Sequence, residues 1–110
     1  MDTNVREENG VSIVSFTGDV DLESSPVARK TLLDCVGGSK LILVDLSAVD
    51  YIDSSGVASL VECFQAARGS GNGFALVSVS EAALRVLKLA RLDKIFTIYA
   101  SVEEGLSHGG

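Results

Sequence analysis

The sequence predicts an α/β domain built on a mixed, mostly parallel sheet, and three observations carry that reading. Short apolar runs that read as strands alternate with segments of helical amphipathic spacing, the pattern of parallel strands joined by right-handed crossovers. An Asn9-Gly10 pair separates the first two short strands, and Asn-Gly is the strongest local hairpin signal. A chain of 110 residues, 46% hydrophobic and 22% charged, can bury one core without staples and is too apolar for disorder. The expectation is one domain over residues 1–110, with about four to five strands, an N-terminal hairpin and three to four flanking helices.

Each element has its own signal. Asn4–Glu8 and Gly10–Phe16 form the hairpin, and Thr17-Gly18-Asp19-Val20-Asp21 follows as an acidic connection. Ser24-Ser25-Pro26 starts a helix, with Ser25 as N-cap and Pro26 at the first helical position. Ala28, Leu32, Cys35 and Val36 share one face of it, and Gly37-Gly38 ends it. Leu41–Leu46 is an almost unbroken apolar run, as expected of a strand covered on both faces. A second helix spans about 55–67 and ends at the glycine-rich 69–73. A strand over Phe74–Val79, a helix capped by Ser80-Glu81 and running to about Arg91, a strand over Ile95–Tyr99 and a short helix over Val102–Leu106 complete the order. Residues 107–110 read as a disordered tail.

Composition removes several function classes. The net charge of −6 disfavours nucleic acid and anionic membrane as partners, and no apolar run approaches the eighteen or so residues of a membrane span, so no direct membrane insertion is expected. With no charged-then-apolar leader at its start, the chain is expected in the cytoplasm. The charge is uneven: residues 1–53 hold ten acids and four bases, whereas Arg85, Lys88, Arg91 and Lys94 crowd one later segment. Arg85, Lys88 and Arg91, at three-residue steps, read either as a second contact surface or as a solvated helix face. Cys35 and Cys63 sit on separate predicted helices, as small apolar core residues do, and form no Cys-x-x-Cys pair. The single histidine, His108, lies in a Gly/Ser tail, so no Ser-His-Asp arrangement can be assembled. Gly37-Gly38-Ser39-Lys40 lacks the phosphate-loop spacing, and Asp19, Asp21, Asp45, Asp50 and Asp53 fit no calcium loop. No enzyme, metal or cofactor is expected.

What remains is Asp53-Ser54-Ser55-Gly56, at the passage from an apolar strand into a helix whose Val57, Leu60, Val61 and Phe64 recur at i, i+3, i+4 and i+7. Ser54 and Ser55 are N-cap residue types, and a helix N-terminus attracts negative charge. Two readings stay open on these residues alone. Either a serine merely caps the helix, or a hydroxyl is presented there for phosphorylation.

The segment Leu-Ile-Leu-Val-Asp-Leu-Ser-Ala-Val-Asp-Tyr-Ile-Asp-Ser-Ser-Gly-Val, from Leu41, resembles the signature of STAS domains, most closely the bacterial anti-sigma factor antagonists. Thr17-Gly18-Asp19-Val20-Asp21 is similar to the family's Gly-x-Leu/Val-Asp turn, and Leu89–Phe96 extends the likeness, which covers nearly the whole chain. The resemblance implies that Ser54 is the phosphorylated residue. It implies as partner an anti-sigma factor that is also a serine kinase, with ATP bound by the kinase. The unphosphorylated antagonist binds that kinase, the phosphorylated one is released, and a serine phosphatase resets it. Asp19, Asp21, Asp53, Ser54, Ser55 and Gly56 would form the docking surface. The sequence departs from the family at Val57-Ala58, where Leu-Gly often follows, and at Ala90-Arg91, where some members carry Ser-Gly. The alternative within the same resemblance is a STAS subunit of a lipid-exporting ABC-type transporter, acting as a constitutive binding module. The intact Asp-Ser-Ser-Gly favours the switch.

Overall fold

The computed structural model describes residues 1–109. Five strands form one sheet in sequential order, β1 (Asp2–Glu8), β2 (Val11–Val20), β3 (Leu41–Ile52), β4 (Gly73–Val77) and β5 (Thr97–Tyr99). The first pair is antiparallel and the rest are parallel. Helices α1 (Ser25–Val36), α2 (Ser54–Gly69) and α3 (Glu81–Leu89) make the crossovers; a 3₁₀ turn at Leu92–Lys94 leads into β5, and α4 (Val102–Gly109) closes the chain. The hairpin turns at Asn9 and Gly10, with φ of 52° and 83°, the doubly left-handed pair that Asn-Gly supplies at least cost.

The sheet is covered unequally. On one face, Val14, Phe16, Ile42, Val44, Leu46 and Leu76 pack with residues of α1, α2 and α3, and Phe96 joins them. On the other, Val11, Ile13, Leu41, Leu43, Ala75 and Val77 are met by Tyr99, Val102 and Leu106, so α4 alone serves as lid. Strand β3 contributes to both clusters, which is why its run from Leu41 to Leu46 is apolar but for Asp45. Every residue of β1 is exposed, and its charged side chains suit an uncovered edge strand.

Several boundaries differ from the sequence reading. Residues Thr17–Val20 are strand rather than connection, because β3 runs on to Ile52 and supplies parallel partners for them, across register shifts after Ser15 and at Gly18. Helix α1 has Ser24, not Ser25, as its N-cap, and Ser24's hydroxyl serves the preceding loop instead of the helix. Cys63 is buried but Cys35 is only half-buried, since α1 turns Ala28, Leu32 and Val36 inward and Cys35 toward the rim. Helix α3 stops at Leu89, and Arg91 takes a left-handed conformation at φ 60°. The fifth predicted strand, Ile95–Tyr99, shrinks to β5 at Thr97, because Ile95 and Phe96 are held by hydrogen bonds to the Leu92 carbonyl. Residues 107–109, expected to be disordered, continue α4, whose Leu106 packs on the lid face; Gly110 lies outside the described residues.

Candidate functional site

The site is the junction between the carboxyl ends of β2 and β3 and the start of α2. In an open α/β sheet this is the end at which ligands and partners are met. The junction is held by three devices, each traceable to one residue.

The first is Asp53. It is the N-cap of α2, in extended conformation, and its Oδ1 accepts from the backbone N–H groups of Ser55 at 2.9 Å and Gly56 at 3.1 Å. Neither Ser54 nor Ser55, the cap types the sequence offers, caps the helix. In a run of Asp-Ser-Ser all three residues are good caps, and β3 ends at Ile52, which leaves Asp53 as the first residue free to take the capping conformation. Ser54 thus becomes the first helical residue, with an exposed side chain.

The second device is the tie to the neighbouring strand. Asp53 N–H donates to the Val20 carbonyl at 3.2 Å, and Asp53 Oδ2 accepts from Leu22 N–H, also at 3.2 Å. One carboxylate therefore caps α2 and anchors the loop between β2 and α1. The third is Gly56: a Cβ there would lie 2.6 Å from the Val20 carbonyl oxygen and 2.7 Å from Ile52 Cγ1. Such distances do not occur, so only glycine lets α2 start this close to β2.

The loop that Asp53 anchors is itself braced. Asp21 Oδ1 accepts from the backbone N–H groups of Glu23 and Ser24, each at 3.1 Å, and from the Ser24 hydroxyl. Those bonds, led by the one from the Ser24 backbone, hold the Asp21 carboxyl below its ordinary value. Ser24 Oγ also donates to the Asp19 carbonyl. Asp19, Asp21, Glu23 and Asp50 line one concavity together with Met1, Gly18 and Ser24, giving the junction an acidic flank.

The structure thus brings together most of the residues singled out in the sequence. Asp53, Ser54, Ser55 and Gly56 form the first turn of α2 and its cap, and Asp21 sits in the loop that Asp53 ties down. Asp19 pairs in register with Tyr51 at the end of β3, and Ser54 does not line the acidic concavity. Two residues were missed. Leu22 is 72% exposed directly beside Asp53, and Tyr51 is 52% exposed next to Asp19. An isolated leucine in an acidic loop carries no periodic signal, so only its placement at the junction marks it.

Farther down α2, Arg29 of α1 and Glu62 form a bidentate ion pair at 2.6 and 2.8 Å, and the Cys63 thiol donates to the Arg29 carbonyl. The hydrogen bond from Arg29 lowers the Glu62 carboxyl from its ordinary value, and burial pushes the Cys63 thiol up to about 11. Both features fasten α2 to α1 and leave Cys63 a core residue. Among the described residues no group of three or more His, Cys, Asp or Glu side chains is arranged to hold a metal ion, and no helix is long and apolar enough to cross a membrane.

Comparison with known proteins shows the family. The STAS domain family model matches residues 2–105. This chain is a STAS domain. It is 29% identical to the anti-sigma-B factor antagonist of Bacillus subtilis, across 96% of this STAS domain and 99% of that protein. It is 28% identical to the anti-sigma-F factor antagonist RsfB of Mycobacterium tuberculosis, over 94% of this chain and 84% of the other. Among solved structures, an anti-sigma factor antagonist from Mycobacterium paratuberculosis superimposes with a TM-score of 0.89 at 29% identity, covering 98% of this STAS domain and 92% of its counterpart.

Proposed function

We propose that this STAS domain is an anti-sigma factor antagonist that binds an anti-sigma factor when unmodified and releases it once Ser54 is phosphorylated. The observation that carries the reading is the position of Ser54: an exposed hydroxyl on the first residue of α2, relieved of capping by Asp53. The plain structural explanation for a serine at a helix start therefore does not apply to it. The names of its relatives favour this reading over a transporter subunit, which the STAS family would equally admit.

The partner in this reading is a serine kinase that holds ATP and doubles as the anti-sigma factor; the γ-phosphoryl group passes to Ser54 Oγ as its bond to the β-phosphate breaks and ADP leaves, and the hydroxyl proton goes to a base of the kinase. A serine phosphatase later hydrolyses the ester. The domain contributes a surface rather than a catalytic group, and this exchange belongs in the cytoplasm, where the kinase finds its ATP. Leu22 and Tyr51 supply exposed apolar area at the same junction, Asp53 precedes the hydroxyl in the chain, and Asp19 and Asp21 line the acidic concavity on the junction's flank. A phosphate adds about −1.5 to −2 charges to that acidic setting. A partner surface fitted to a neutral hydroxyl must then desolvate an anion, which costs several kcal/mol if it is unpaired. Release needs no refolding of the antagonist.

The test is to incubate the protein with an anti-sigma factor kinase of the same organism and ATP, then locate the phosphate by mass spectrometry. Label on Ser54, lost in Ser54→Ala, is the expected result. Label elsewhere, or label persisting in Ser54→Ala, removes Ser54 as the acceptor.

A further inference from the structure

A phosphate on the first residue of a helix has an obvious destination: the free N–H groups of the first turn, which attract anions through both hydrogen bonding and the helix dipole. In this domain that destination is occupied. Of the groups at the start of α2, Asp53 N–H is bound to the Val20 carbonyl, and Ser55 N–H and Gly56 N–H are bound to Asp53 Oδ1. Val57 N–H is bound to the Asp53 carbonyl at 3.0 Å, the ordinary helical bond. Only the amide of Ser54 itself is left beside the phosphorylated oxygen.

We infer that Asp53 is a positioning residue for the switch: by filling the donors of the first turn, it keeps a phosphate on Ser54 outside the helix N-terminus and turned toward the partner. The inference rests on the reading of Ser54 as phosphoacceptor and adds how the modification is read out. To enter the first turn, the phosphate would have to displace Asp53 Oδ1 from two N–H groups. Swinging the carboxylate away would also take Oδ2 from Leu22 N–H, 31 residues distant in sequence, and unfasten the loop between β2 and α1. The incoming anion would meet an anionic side chain, so the exchange is opposed by repulsion as well as by lost bonds. With Asp53 in place, the first turn cannot neutralise the phosphate, and its charge is presented in full to whatever docks there.

A helix that captured its own phosphate would blunt the signal, because the anion would reach the partner already paired. The Asp at the cap thereby has two roles that a serine cap would not combine. It stabilises the helix start in the unmodified state and withholds stabilisation from the modified one.

The experiment uses full-length protein carrying phosphoserine at position 54, installed during translation so that no kinase is involved. Failure of a kinase to recognise Ser54 and failure of this inference are then separate results. Backbone amide spectra of the phosphorylated and unmodified proteins are compared at Leu22, Ser54, Ser55 and Gly56. The Ser54 amide moves on phosphorylation, while Leu22, Ser55 and Gly56 hold their positions. In Asp53→Ala the Ser55 and Gly56 amides are free, and phosphorylation shifts them downfield. A downfield shift of Ser55 and Gly56 in the otherwise unaltered phosphoprotein, with Leu22 moving upfield, would overturn the inference by showing the phosphate in Asp53's place. Unmoved Ser55 and Gly56 amides in phosphorylated Asp53→Ala would overturn it too, since Asp53 would then be withholding nothing. Should Asp53→Ala fail to fold, the comparison with Asp53 intact decides by itself.

Discussion

Two helix ends in this domain each disfavour a Cβ, one for want of space and the other through a left-handed backbone, and the sequence answers them in opposite ways. At the start of α2 a glycine is required and a glycine is present, and an aspartate satisfies both the helix and the adjoining loop. At the end of α3 the chain enters the left-handed region, where glycine is favoured, and carries Arg91 instead, at φ 60°. The first end is fitted tightly and stays acidic. The second is strained and basic: Arg85, Lys88, Arg91 and Lys94 are exposed, and Leu89 and Ile95 stand 81% and 57% exposed nearby. The contrast teaches where the fold tolerates no change and where it gives up stability without structural need. The neighbourhood of Ser54 is built to hold one geometry. The end of α3 is free to vary, in keeping with its departure from the small Ser-Gly pair at Ala90-Arg91.

The comparison breaks first at Gly56. Gly56→Ala forces a methyl group against the Val20 carbonyl, and α2 must lift from the sheet end to admit it. Overpacking of this kind costs about 1–3 kcal/mol, and here backbone rather than a flexible side chain must give way. Chemical denaturation should therefore show a loss toward the upper end of that range. A variant as stable as the parent would mean that the junction is looser than the distances state.

The opposite sign is expected at the other end. Arg91→Gly relieves the left-handed penalty while removing a side chain that leaves the core untouched. The gain is on the order of 1 kcal/mol, reduced by the greater freedom of glycine in the unfolded chain. The same denaturation experiment reads it. Destabilisation would show that Arg91 makes contacts that outweigh its backbone strain, and the contrast between the two helix ends would fall.

Much of this organisation was readable in the sequence, because element identity follows from short-range pattern. The hairpin at Asn9-Gly10, the doubly covered β3 and the helix starts near Pro26 and Ser80 each depend on a few adjacent residues, and each is present. The far halves of β2 and β3 were not readable. Gly18, Ser47 and Asp50 interrupt the apolar pattern there, and the residues are strand only because the two segments pair with each other across some 30 positions. The cap of α2 was off by one residue for a related reason. Asp53, Ser54 and Ser55 are equivalent by local chemistry, and the choice among them is made by where β3 releases the chain. The tie from Asp53 to Leu22 is a tertiary contact with no local signature at all. Family likeness marks Ser54 in the sequence as the proposed phosphoacceptor, but that Asp53 rather than a serine takes the capping role emerges only from the fold.

The central claim is that the chemical state of Ser54 decides docking, and affinity tests it most directly. Titration calorimetry of an anti-sigma factor kinase with unmodified protein, with Ser54→Ala and with protein bearing phosphoserine at 54 gives the three numbers required. The unmodified protein and Ser54→Ala should bind alike, and the phosphoprotein at least about a hundredfold more weakly, the effect of a few kcal/mol of unpaired charge at the interface. Equal affinity of the phosphorylated and unmodified proteins would contradict the account, whatever kinase placed the phosphate there.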